Sequence, residues 1–185
     1  MFHAIAFAVV LHLSNAASVP MPTLAKAQTE VVRVYRDIGV DVEWSQPGVL
    51  RGDQPQSIHV VVIPYETGDL QQRPKTVMGA ATRTPHGTRV AYVFYRRVEA
   101  EAAQYDVSPA FVLACAIAHE VGHLLLPDGF QSGHSRAGLM RACWDRDDFR
   151  RADMGQLRFL PEQALLIRGR LQALVEYQGR DSARQ

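Results

Sequence analysis

Apolar positions along the chain change their period from block to block, and those changes predict its elements. Residues 6–13 form an apolar run broken only by His12. A run of that length suits a buried first strand and is too short for a membrane-spanning helix, which needs ~20 apolar residues. Thr23 is a capping residue type, and Leu24, Ala27, Val31, Val34 and Ile38 then recur at helical spacing as far as Gly39, a natural stop. Val40, Val42 and Trp44 alternate with Asp41 and Glu43, the period of a half-buried strand. Residues 58–63 are almost wholly apolar, which predicts a strand covered on both faces, with His59 inside the core. A short strand is expected over residues 77–81, a long one over 89–98, and a short helix over 99–105.

Ser108-Pro109 is a strong helix start, because serine caps and proline there gives up no hydrogen bond. Residues 111–118 are apolar on every side, so this helix is central, and Pro127 and Gly129 end it near Leu126. Aspartate and arginine mix over residues 147–153, which reads as a polar loop. Pro161 opens a last helix with an apolar stripe through Leu165, Ile167, Leu171 and Leu174. The order gives an α+β fold of a single domain: a mixed, twisted sheet packed on the central helix, with a C-terminal helix.

Composition narrows the function. The chain has 185 residues, 47% hydrophobic and 21% charged, with a formal net charge of +1. That balance gives no field to draw the chain to nucleic acid, and no stretch predicts a transmembrane helix. Two cysteines, Cys115 and Cys143, are too few for a disulfide framework; one bridge between them stays open. The N-terminus has two readings. Residues 2–13 followed by Ser14-Asn15-Ala16-Ala17 resemble a signal peptide, though no Lys or Arg precedes Lys26. Residues 1–17 are therefore either a signal segment or the first strand, and residues 18–185 the domain. The first reading implies export or secretion, the second a soluble protein.

The chemistry lies in His119-Glu120-Val121-Gly122-His123, an HExxH motif. Residues four apart on a helix stand over one another, about 6 Å apart at Cβ. Two imidazoles so placed reach one zinc ion at ~2.1 Å each. Glu120 points one helical step aside, toward a water on that zinc rather than the zinc itself, as a general base. A catalytic zinc takes a third protein ligand and keeps one position open. His134 is the first choice; Asp128 in the turn Pro127-Asp128-Gly129 and the more remote Glu162 are the others. Cys115 lies one turn before His119, where core packing is the simpler role.

With His134-Ser135 and Ala137-Gly138-Leu139-Met140-Arg141, the motif resembles the metzincin zinc peptidases, and more narrowly small matrixin-like bacterial proteins with an HExGH…HS…GLM pattern. The resemblance implies a zinc-dependent endopeptidase, a hydrolase with His119, His123 and His134 as ligands and Glu120 as catalytic base. It places Met140 in a tight turn beneath the metal histidines. It also implies a peptide or protein substrate paired along a sheet edge, either residues 89–95 or residues 77–81. The chain departs from the common pattern in two places. Leu126 stands where a glycine usually follows the second histidine, and the loop before His134 is longer. A second reading keeps the same histidines in a catalytically silent, metal-stabilised binding module.

Overall fold

The computed structural model describes residues 7–45, 57–68, 71, 77–85, 87–127 and 133–182. Five strands and five helices form one α+β domain. They are β1 (Phe7–Asn15), α1 (Met21–Arg36), β2 (Val40–Ser45), β3 (Ser57–Ile63), β4 (Gly79–Arg83), β5 (Arg89–Phe94), α2 (Tyr95–Tyr105), α3 (Pro109–Leu125), α4 (Arg146–Asp153) and α5 (Pro161–Ser182). The sheet is mixed, with order β2-β1-β3-β5-β4. The first four strands run parallel, and β4 pairs antiparallel with β5 at one edge. Of the two candidate edge segments, only the one beginning near Val77 therefore lies at an edge; residues 89–94 are interior.

Helices α1 and α3 cover one face of the sheet. Val9 and Leu11 of β1, Ile58, Val60 and Val62 of β3, and Ala91 and Val93 of β5 are fully buried beneath them. The Tyr35 hydroxyl of α1 donates to the Ala118 carbonyl at 2.9 Å and fixes the two helices to each other. β3 corrects the expectation of a strand covered on both faces. Its burial alternates, and His59 is half-buried, stacked on His12 with centroids 5.0 Å apart. The residue types were right for a buried strand, but helices lie against only one side of this one.

Other boundaries also move. α1 begins at Met21, after Pro20, so Thr23 is already inside the first turn. Gly39 has φ +73 and lets the chain turn directly into β2. β5 stops at Phe94, because Tyr95, Val98 and Ala102 are the buried positions of α2, at helical rather than strand spacing. Ser108 is the N-cap position of α3, but its side chain makes no capping bond; its backbone N–H donates to Asp153 Oδ1 at 2.8 Å.

The stretch expected to be a polar loop contains helix α4. Asp145 Oδ1 accepts from the N–H groups of Asp147 and Asp148, and Asp148 Oδ2 accepts from the Asp145 N–H, a complete capping box. Phe149 and Ala152 face the core. Among the described residues no helix is long and apolar enough to cross a membrane.

Candidate metal centre

α3 is the best-buried helix of the fold: fourteen of its residues are buried, His119 and Glu120 among them. Buried polar side chains need partners, and those of His119 are specific. Its Nδ1 meets the Leu139 carbonyl at 2.7 Å, so the proton sits on Nδ1 and the Nε2 lone pair is left to face outward. Trp144 Nε1 donates to the same carbonyl at 3.2 Å and packs its ring edge-on to His119, 5.9 Å between centroids. Sequence reasoning missed both partners, since a carbonyl twenty residues away leaves no mark on side-chain pattern.

His119 Nε2 and His123 Nε2 lie 3.0 Å apart. With the His119 proton on Nδ1, that approach either shares one proton or turns both lone pairs toward a common cation. His134 completes the group. Its ring centroid is 4.8 Å from that of His123 and 5.4 Å from that of His119. One donor atom from each of the three histidines falls within 4.8 Å of the others, the one such group among the described residues. Ligands ~2.1 Å from one tetrahedral zinc stand about 3.4 Å apart. The close pair shares a helix, so the wider spacings involve His134, which sits on a loop. Three neutral imidazoles on one side of an open cleft fit a zinc ion with a vacant fourth position.

Glycines make the assembly fit. Gly133 has φ +80, and a Cβ there would lie 2.6 Å from His123 Nδ1. The chain can turn into His134 only with no side chain at that position. A Cβ at Gly122 would lie 2.7 Å from Met140 Sδ, so the fully buried Met140 packs directly under the turn between the two helix histidines. A Cβ at Gly79 would meet Glu120 Cγ at 2.6 Å and Oε1 at 2.7 Å. Edge strand β4 thus approaches α3 as closely as backbone allows, at the glutamate. Gly133, in the loop before His134, is legible in the sequence as a place for the chain to fold back, and Gly122 lies inside the motif; Gly79 gains its meaning only from the structure.

β4 and α3 frame a cleft of ≈ 630 Å³, within the range of small-molecule and peptide-side-chain pockets. Gly79, Ala81 and Arg83 line one wall, Glu120 and the three histidines the floor, and Arg141 and Trp144 the far wall. Arg97 steadies the start of β4 by donating to the Val77 carbonyl, and the Phe94 N–H donates to Met78 O at 2.8 Å. Among the other candidates, Asp128 lies outside the described residues. Glu162 is exposed in the first turn of α5 and is not in the group. Cys115 is buried and is not in the group; burial, then Glu30, pushes its thiol up to about 12. Cys143 is exposed and no disulfide joins the two.

The imidazoles are held neutral. Burial, then His123, pulls His119 down to about 3 against the pull of the Leu139 carbonyl. Burial, then His134, pulls His123 down to about 4, and burial also lowers His134. The sign for stability follows. Below the ordinary value of 6.5 the unfolded chain takes up protons that the folded chain refuses, so folded stability rises with pH between about 4 and 6.5. Chelator-treated protein should therefore lose stability on acidification through that window, with about two protons taken up per chain on unfolding near about pH 5. Thermal unfolding in buffers across that window measures it; a melting temperature independent of pH there would contradict the assignment.

No protein-family model matches this chain, and no curated protein matches it.

Proposed function

We propose that the chain is a zinc-dependent endopeptidase of the metzincin-like kind. The observation that carries the reading is the meeting of three neutral imidazoles and Glu120 in one cleft, beside the edge strand of the sheet. His119, His123 and His134 would hold the ion. Zinc, when bound, supplies a Lewis acid that polarises a carbonyl and makes a water acidic near neutral pH.

The remaining work falls to the protein's own groups. The Leu139 carbonyl holds the His119 proton on Nδ1 and so fixes which nitrogen faces the ion. Glu120, pressed against Gly79, takes the proton of the attacking water and returns it to the leaving amine. The outer edge of β4, which pairs with no further strand among the described residues, would offer backbone N–H and carbonyl groups to an extended peptide. Met140 fills the space beneath the histidines and keeps the floor dry.

Incubating the full chain with a mixed peptide library tests this. Hydrolysis should depend on zinc, stop with a chelator and return when zinc is restored. A chain that binds one zinc yet cuts no peptide would leave the silent binding module as the better account.

A further inference from the structure

Trp144 meets the metal group in two ways. Its Nε1–H donates to the Leu139 carbonyl at 3.2 Å, and its ring stands edge-on to His119 with centroids 5.9 Å apart. His119 Nδ1 bonds to that same carbonyl at 2.7 Å. A carbonyl oxygen has two lone pairs, so the imidazole and the indole together fill its capacity. The other side of the peptide is fixed as well. The Leu139 N–H donates to the Arg158 carbonyl at 2.7 Å, and a Cβ on Gly138 would lie only 2.8 Å from that oxygen.

The indole is held from behind. It packs edge-on to Phe149, centroids 5.9 Å apart, and Phe149 stacks on Tyr105 at 4.6 Å. Phe149 is a buried residue of α4, and Tyr105 ends α2. At the near end of the same segment, Arg141 pairs with Asp145, the N-cap residue of α4, and with Asp148 in its first turn. A row of rings therefore runs from the two outer helices to His119, and Trp144 is the member that reaches the metal group.

An imidazole grips an ion well when its ring keeps one orientation, and that orientation is set by whatever holds the far nitrogen and the ring. For His119 both restraints involve Trp144: the indole edge acts on the ring directly, and the shared carbonyl acts on Nδ1. We propose that Trp144 is a positioning residue that fixes the orientation of His119 toward zinc, with α4 as the post that carries it. The inference rests on the zinc site of the reading above and does not depend on what that site cuts.

The test compares the native full chain with Trp144→Ala, Trp144→Phe and Phe149→Leu. Zinc affinity is read by competition with a chelating dye, and ligand geometry from the visible absorption of the cobalt(II)-loaded protein. Trp144→Ala removes ring and donor together and should weaken zinc binding about tenfold, with an altered cobalt spectrum. Trp144→Phe puts back a ring without the donor and should recover part of the loss. Phe149→Leu touches none of the three histidines, yet it should shift the cobalt spectrum in the same direction by a smaller amount. Lost packing alone would lower the Tm of the metal-free variants and leave zinc affinity and cobalt spectrum native, and that result would overturn the proposal. If Trp144→Ala does not fold, the other two variants decide: native affinity and spectrum in both would overturn it equally. A native chain that takes up no zinc would overturn the proposal and the zinc site together.

Discussion

Glu120→Gln should leave one zinc per chain and lower peptide hydrolysis by about three orders of magnitude. Glutamine keeps the volume and shape of the side chain, so its contact with Gly79 and the packing of β4 on α3 persist. The metal is expected to stay because the three histidines placed to hold it, His119, His123 and His134, are unchanged. What is lost is a base: an amide cannot accept the proton of the attacking water at neutral pH. Zinc content by elemental analysis and kcat on one cleaved peptide measure the two halves separately. Full activity in the variant would remove Glu120 from the mechanism. Loss of zinc along with activity would make it a ligand instead.

His119→Ala has the second large effect, and it falls on the metal first. Removing one of three ligands should weaken zinc binding by at least about a hundredfold. The Leu139 carbonyl keeps its bond from Trp144 Nε1, so the metal-free chain should lose only about 1 kcal/mol on that account. The contrast appears when zinc is added. At a zinc concentration about a thousandfold above its dissociation constant, the native chain gains about 4 kcal/mol, a rise of about 10 °C in Tm. The variant should gain almost none of it. Equal zinc-induced rises in both proteins would place the ion elsewhere.

The parts of this site that were legible in the sequence are those set by local geometry. His119 and His123 face one point because residues four apart on any α-helix do, and Ser108-Pro109 and Pro127 bracket that helix on either side. Glu120 follows from the same helical step. His134 is different. Its approach depends on Gly133 at φ +80 and on the bend through Leu139 and Met140, which no spacing rule encodes. The edge strand was legible only as two alternatives, because pairing order depends on which β-rich segments meet across the chain rather than on the pattern within either. β4 settled at the edge through antiparallel pairing with β5, and its Gly79 gains meaning only once Glu120 lies against it.

The fold shows the same division. Helix α1 and strand β2 announce themselves by period, with Gly39 between them. Helix α4 does not, because eight residues dominated by Asp and Arg carry too few apolar positions to show a stripe. Its signal was the capping box from Asp145 to Asp148 ahead of Phe149, a matter of hydrogen bonds rather than hydropathy. Strand β3 misled in the opposite sense. Its Val and Ile content described its neighbours in the sheet, and only the placement of α1 and α3 decides that one face is deeply covered and the other half open.

X-ray absorption at the zinc edge of the purified full chain tests the central claim most directly. The account predicts one zinc per chain with three imidazole nitrogens and one further light atom at about 2.0–2.1 Å. A chain that retains no zinc when purified without chelator, or a spectrum dominated by sulfur at about 2.3 Å, would contradict it.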